Sequence, residues 1–180
     1  MSPYNSFRTY VFQDWHANSN SAKSRFVLSL FRFTQFLNNH AGVIGRTFAV
    51  PFSILYTIIV QWLLGIEIPI SAIVGKGLQL YHGVGLVVHP ASVIGEGCVL
   101  RHCITIGSKD NNGSGSQTAP VLGDRVDVGC NSVIIGHVFV GNNAIIGAGS
   151  VVVHDVPENS VVCGNPARVI RTRKNETSDK

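Results

Sequence analysis

The chain has 180 residues, a formal net charge of +4 and a charged fraction of only 13%, while 45% of its residues are hydrophobic. This length predicts one domain, or one domain with an appendage. Much of the basic excess lies in the tail RVIRTRKNETSDK, which is typical of a solvated end and excludes a nucleic-acid partner on grounds of charge. The polar and aromatic opening MSPYNSFRTYVFQDWH predicts no secretory signal.

The four cysteines lack the C-x-x-C spacing of metal sites. In a reducing cytoplasm such residues pack as small apolar side chains and carry no disulfide framework. We therefore predict a cytoplasmic protein with four free thiols, Cys98, Cys103, Cys130 and Cys163.

Residues 1–66 are predicted to form an N-terminal helical segment. The stretch SAKSRFVLSLFRFTQFLNNHAG has apolar residues at helical spacing, with Ser21 as its N-cap. A second helix, RTFAVPFSILYTIIVQWLLG, is more apolar and carries Pro51 near its first turn. It is about as long as the roughly 20 residues that a membrane span requires. Ser53, Thr57 and Gln61 interrupt its apolar surface, which favours a buried or subunit-facing helix over a span or contact with the inner face of the membrane.

From residue 68 onward an aliphatic residue recurs at every sixth position. This period fits a short strand plus a turn, with one branched side chain per unit pointing into a narrow core. We therefore predict a mainly β fold, a solenoid of β-coils over residues 67–171. A polar loop, residues 107–121, interrupts it, and a disordered tail, residues 172–180, follows. The clearest run of the repeat is Leu122, Val128, Ile134, Val140, Ile146 and Val152.

The stretch QLYHGVGLVV places His82 two residues after the repeat position Leu80, and His102 follows Leu100 in the same way. The period slips by two residues between these positions. If the slip is a bulge in one coil, both histidines lie on adjacent turns of one face. Histidine is the natural base near neutral pH. A packed residue on the coil surface is the alternative for each of them.

The repeats, together with the ending VVCGNPARVI, resemble the hexapeptide-repeat acyltransferases. Similarity to serine acetyltransferase rests on IEIPISAIVGKGLQLYHGVGLVV, CITIG and IIGAGSVV. The stretches LYHG and RHCITIG, behind two apolar helices, are more similar to colanic-acid-type O-acetyltransferases of exopolysaccharide clusters. The resemblance implies a left-handed parallel β-helix, a homotrimer with its sites between subunits, and acetyl-CoA as cosubstrate.

The resemblance also implies site residues. His82 falls where the family has its general base, and Glu67, fifteen residues earlier, falls where a carboxylate orients that histidine. Serine acetyltransferases have aspartate there, so the longer glutamate is a departure. A solvated residue at the junction is the alternative. Positions matching the family's acetyl-CoA contacts are Gly107, Ser108, Cys130, Ala148 and Arg168.

The expected acceptor follows from positions at which this chain differs from the serine acetyltransferases. Serine acetyltransferases place aspartate before the catalytic histidine and a G-D-R-H-P stretch at the end of the loop, whereas this chain has Tyr81 and Ala119 at those positions. A zwitterion would lose water without replacement there, while Tyr81 offers a face for a sugar ring. We therefore expect a saccharide acceptor, nucleotide-linked or lipid-linked, bound by Tyr81 and His102. Serine O-acetylation and a non-catalytic scaffold are the alternatives, and no metal is expected.

Overall fold

The structure is a computed structural model that describes residues 7–40, 42–109 and 119–173. The central part of the predicted loop, residues 110–118, and most of the predicted tail, residues 174–180, lie outside the described residues.

The N-terminal segment contains three α-helices, α1 (Phe7–Val11), α2 (Ala22–His40) and α3 (Gly42–Tyr56). The Ser21 hydroxyl accepts a hydrogen bond from the backbone N–H of Ser24 at 3.1 Å, so the predicted cap of α2 is confirmed. The second predicted helix begins earlier than expected and continues after α3 as a π-helix, Thr57–Leu63. In the part of the chain that the structure describes, no helix combines the length and apolarity needed to cross a bilayer.

The remaining described residues form a parallel β-helix, as the repeat predicts. Its three faces are sheets of stacked short strands: face A (β1, β4, β7, β10, β13), face B (β2, β5, β8, β11) and face C (β3, β6, β9, β12, β14), with β15 antiparallel to β14. The strands are β1 Ile66–Glu67, β2 Ile73–Val74, β3 Gln79–Leu80, β4 Leu86–Val88, β5 Val93–Ile94, β6 Val99–Leu100, β7 Thr105–Gly107, β8 Val121–Leu122, β9 Asp127–Val128, β10 Val133–Ile135, β11 Phe139–Val140, β12 Ile145–Ile146, β13 Val151–Val152, β14 Ser160–Gly164 and β15 Ala167–Thr172.

Each coil contributes one aliphatic side chain per face to the core. Burial of such a side chain stabilises a fold by roughly 1.5–3 kcal/mol. The stacked aliphatic side chains therefore contribute a large part of the stabilising free energy of the β-helix. Val74 is half-buried. The other repeat positions are buried: Ile68, Leu80, Leu86, Ile94, Leu100, Ile106, Leu122, Val128, Ile134, Val140, Ile146 and Val152.

The slip in the repeat is taken up in the corner before β4. Val87 pairs with Glu67 of the coil before and with Thr105 of the coil after, so β4 itself is in register with both neighbours. The corner that leads from Leu80 into β4 is therefore longer than the corresponding corner of the next coil. The loop insertion lies between β7 and β8.

Polar side chains of the N-terminal segment cover the open edge of face C. Strand β3 belongs to the first coil and has no strand before it. Asp14 accepts a hydrogen bond from the N–H of Leu78, and Asn18 pairs with both Leu78 O and Leu80 N. Unpaired sheet edges are a route to aggregation, and this segment satisfies the edge from within the chain.

A buried ion pair holds that segment in place. Arg32 of α2 contacts Asp14 at 2.8 Å, and both side chains are almost fully buried. The remaining guanidinium N–H groups donate to the carbonyls of Val74 and Gly75. The helices and the first coil are thus joined through one buried polar network.

Candidate active site

The site is built on one edge of the β-helix, the corner that leads from face C to face A (the C–A corner). In face C, Leu80 pairs with Leu100, β6 pairs with β9, and Val128 pairs with Ile146. The residues two positions further along each coil therefore stack in one column. That column consists of His82, His102, Cys130 and Ala148.

His82 occupies the bulged corner and has φ of +66°. This left-handed conformation is uncommon for a residue other than glycine, and histidine is one of those enriched in it. Its side chain is exposed. Other non-glycine residues at coil corners, such as Cys103 and Asn131, also have positive φ, so this angle describes the corner and does not by itself mark a functional site.

The carbonyl of His82 has an unusual partner. In the next coils, His102 O accepts a hydrogen bond from Asn131 N, and Cys130 O accepts one from Gly149 N. At the bulge the corresponding amide, that of Cys103, donates to Val84 O instead. Lys23 of α2 donates its Nζ to the His82 carbonyl at 3.1 Å in place of a backbone amide.

The two predicted histidines come together. The His82 and His102 rings lie edge to face, with centroids 6.0 Å apart and planes at 74°. The two rings are therefore neighbours at the C–A corner.

Glu67 lies on face A beside this corner. Gly65, two residues before Glu67, accepts a hydrogen bond from Gly85 N at 2.7 Å, which brings the start of β1 next to the bulge. The Glu67 side chain is exposed, and within the described residues it makes no hydrogen bond or ion pair with the His82 ring. Its role as the orienting carboxylate stays a prediction.

Tyr81 is 47% exposed and lies beside Arg101. The Arg101 guanidinium carbon is 5.6 Å from the Tyr81 ring centroid, and Arg101 forms an ion pair with Asp127. The hydrogen bond that Arg101 donates to the Asp127 carboxylate raises the pKa of Arg101 above its usual value. Arg101 thus stays positively charged, its charge is paired with that of Asp127, and its guanidinium group lies over the tyrosine ring.

A cavity of about 360 Å³ opens beside His82. The coil supplies Leu80, Tyr81, His82 and Val84 as one wall. The other wall was not predicted from the sequence; it comes from the run HANSNSAK, residues 16–23. Its polar side chains directly before an N-cap were the available signal. The residues of that wall are Ala17, Asn18, Asn20, Ser21 and Lys23.

Two of the predicted acetyl-CoA contacts, Cys130 and Ala148, lie on the C–A corner. They stack because Gly149 N donates to Cys130 O at 2.9 Å. The chain is closely packed here, since a Cβ at Gly129 would lie 2.4 Å from the Ala148 nitrogen. The small residues leave this edge open to a long ligand lying along it.

The structure does not bring the other predicted contacts to this corner of the same chain. Gly107 ends β7, and Ser108 follows it at the corner that leads to face B. Arg168 lies on β15 opposite Cys163, in the last coil and far along the axis from His82. Among the described residues, no group of three or more potential metal ligands occurs.

A parallel β-helix of hexapeptide coils, with a histidine at one corner and small residues below it, defines the class of hexapeptide-repeat acetyltransferases. A search against models of protein families finds no match. WcaB of Escherichia coli K12, described as a colanic acid biosynthesis acetyltransferase, is 34% identical over 161 residues, which cover 88% of this chain and 98% of that protein. The chain therefore belongs to the hexapeptide-repeat acetyltransferases of the WcaB and serine acetyltransferase type, which depend on acyl-CoA.

Serine acetyltransferases are similar over the β-helix. Serine acetyltransferase 2 of Arabidopsis thaliana is 38% identical over 115 residues, 62% of this chain and 34% of that protein. The structure of the soybean enzyme complexed with serine superposes with a TM-score of 0.75 at 27% identity, covering 91% of this chain and 69% of that one. A serine acetyltransferase in complex with CoA has a TM-score of 0.68 at 25% identity and covers 89% of this chain and 66% of that one.

These comparisons confirm the predicted fold class and the assignment as an acetyltransferase. They do not support the alternative of a non-catalytic scaffold, because the relatives are enzymes.

Proposed function

We propose that this enzyme transfers an acetyl group from acetyl-CoA to a saccharide hydroxyl in exopolysaccharide or surface-glycan biosynthesis. The observation that carries the proposal is the cavity beside His82, because the described residues that line it include no carboxylate. Similarity over nearly the whole of WcaB, helices included, supports the same substrate class.

In the proposed mechanism, His82 is the general base. It takes the proton of the acceptor hydroxyl as that oxygen attacks the thioester carbonyl. The carbon–sulfur bond then breaks, and the imidazolium returns the proton to the leaving thiolate. Proton transfer by a positioned side chain contributes roughly 10²- to 10⁴-fold in rate. Transfer is direct, and Cys130 is a wall residue and not a nucleophile.

In this mechanism Glu67 is a positioning residue that orients the His82 ring. A carboxylate beside a catalytic imidazole selects its tautomer and stabilises the imidazolium. Backbone amides near the loop that follows β7 would donate to the oxyanion, since preorganised donors act most strongly where charge develops.

Tyr81 and His102 form the proposed acceptor contacts. The exposed Tyr81 ring suits stacking on a sugar, and Arg101 supports the other side of the ring. His102 is not among the described residues that line the cavity, but its ring lies against that of His82, so it can hydrogen-bond an acceptor that extends past the base. Serine would need a carboxylate for its ammonium group, and the part of the cavity lining that the structure describes supplies none.

We infer that acetyl-CoA lies along the C–A corner, with Cys130 and Ala148 against its pantetheine arm. Arg168, further along the axis, would meet a phosphate group. In a homotrimer, the partner subunit's Gly107 and Ser108 would face this corner, because a cyclic arrangement places one edge of a coil against another. This separation of the predicted contacts within one chain is the main support for the trimer.

The exposed apolar face of α3 and the π-helix fits two further parts of the proposal. Ile54, Ile58 and Trp62 are all exposed, Trp62 by 78%. Such a face suits packing between subunits, and it also suits a cytoplasmic enzyme that works at the inner face of the membrane on a lipid-linked acceptor.

The test is CoA release from acetyl-CoA by the purified protein, with L-serine and separately with sugars, nucleotide sugars and lipid-linked glycans, beside His82→Ala. Turnover that requires His82 with a glycan and not with serine supports the proposal. Robust turnover with serine that requires His82 overturns the saccharide assignment. Light scattering of the same protein tests the trimer.

A further inference from the structure

We propose that the acceptor carries a negatively charged group, a carboxylate or a phosphate, and that Lys23 binds it. This inference rests on the proposed function, because it takes the cavity beside His82 as the acceptor site. It adds the charge class of the acceptor and a specificity residue in the N-terminal segment.

Lys23 is held at a defined position. Its ammonium group donates to the His82 carbonyl at 3.1 Å, because the bulged corner leaves that carbonyl without a backbone donor. A lysine ammonium group has three N–H donors. Two donors are left for a ligand, a few ångströms from the residue proposed as the base.

The charge of Lys23 is not neutralised within the described chain. Arg101, beside Tyr81, is paired with Asp127, and the surface residue Lys76 is paired with Glu96 at 3.3 Å. The described residues place no carboxylate within ion-pair distance of Lys23. Among the described residues that line the cavity, it is the only lysine or arginine, and none of them is acidic.

Apart from Lys23 and His82, the described polar side chains of the cavity are uncharged amides and hydroxyls. Asn20 and Ser21 line the same wall as Lys23, and Tyr81 faces them. Amide and hydroxyl groups with an aromatic ring suit a saccharide ring, and one unpaired cation suits an anionic substituent on it. Both an acidic sugar and a sugar phosphate have this chemistry.

The experiment compares three probes that share the ring configuration of glucose and differ in charge: methyl glucoside, methyl glucuronide and glucose 1-phosphate. Each is measured as an acceptor and, by calorimetry, as a ligand, so the answer does not depend on which of them is acetylated. The proteins are the full chain, Lys23→Met, Lys23→Arg and the control Lys76→Met, whose lysine lies outside the cavity.

In the wild type and in Lys76→Met, we expect the two anionic probes to bind roughly ten- to a hundredfold more tightly than the neutral probe. Where a probe is acetylated, we expect the same ratio in kcat/KM. Lys23→Met should abolish this advantage, and Lys23→Arg should keep part of it. A higher response to the uronate indicates an acidic sugar, and a higher response to the phosphate indicates a phosphorylated one.

Equal responses to all three probes in the wild type would overturn the inference. So would an equal fall for all three in Lys23→Met, which would make Lys23 a positioning residue only, or a raised KM for acetyl-CoA in that variant. Turnover with serine that requires His82 would instead overturn the proposed function. The calorimetric affinities for the three probes test the role of Lys23 independently of that result.

Discussion

The rings of His82 and His102 lie edge to face with centroids 6.0 Å apart, although twenty residues separate them in the chain. They meet because Leu80 and Leu100 are paired in face C and each histidine follows its leucine at the same corner. One coil can therefore supply the base while the next supplies an acceptor contact.

Replacing His82 with alanine tests the base. We expect His82→Ala to lower kcat by roughly 10²- to 10⁴-fold, because the acceptor hydroxyl would lose its proton without help. The affinity for CoA, measured by calorimetry, should change little. His137→Ala is the matched control, because His137 is exposed and lies at a different corner. Activity of His82→Ala within a few-fold of the wild type would contradict the assignment.

Glu67→Gln tests the positioning carboxylate. The amide keeps the size of the side chain and removes its charge, so a misplaced His82 ring should lower kcat by up to about 100-fold with an unchanged KM for acetyl-CoA. The paired measurement is Glu96→Gln, since Glu96 lies on the surface against Lys76. If Glu67→Gln and Glu96→Gln behave alike, Glu67 is a solvated junction residue.

Two substitutions of Tyr81 distinguish stacking on the acceptor from hydrogen bonding to it. Tyr81→Phe keeps the ring beside Arg101, whereas Tyr81→Ala removes it. We expect kcat/KM for the saccharide to fall roughly 2- to 10-fold in Tyr81→Ala and to stay near the wild-type value in Tyr81→Phe. Equal loss in the two variants would show that the hydroxyl, and not the ring, contacts the acceptor.

Asp14→Ala tests the buried network that joins the helices to the first coil. It leaves the Arg32 charge buried without a partner, which costs about 3–5 kcal/mol. For a chain of this size that corresponds to a fall in melting temperature of roughly 6–20 °C. Lys76→Ala breaks an exposed pair instead, and we expect it to cost about 0–1 kcal/mol. Scanning calorimetry of both variants decides between a structural network and an incidental contact.

The buried thiol of Cys98 should lower the free energy of unfolding at alkaline pH. Burial raises the pKa of its thiol to about 11 from an ordinary value near 9. Above pH 9 the unfolded chain releases this proton while the folded chain keeps it, so the free energy of unfolding falls as the pH rises towards 11. Cys98→Ala should show a shallower fall between pH 9 and 11 in urea titrations. Equal slopes for both proteins would contradict it.

The same thiol should also react slowly. Cys98 is fully buried and donates to Gly123 O, whereas Cys103 is exposed at the C–A corner. We expect maleimide to label Cys103 readily in the folded protein and Cys98 only after unfolding.

The hexapeptide period determined the architecture from the sequence alone. One branched aliphatic at every sixth position leaves each coil a single way to bury its side chains, namely stacking on its neighbours, so the column from Leu80 to Val152 follows from local pattern. The same register carries His82 and His102 to one corner, which is why both could be named in advance as candidates.

Only the tertiary structure placed Lys23, Asp14 and Asn18 against the first coil. Their partners are backbone groups of an open sheet edge more than fifty residues away, and no local spacing encodes such a contact. The bulge at His82 is equally a matter of the fold. It removes one backbone donor from a regular ladder, and a side chain from a separate helix donates to the open carbonyl.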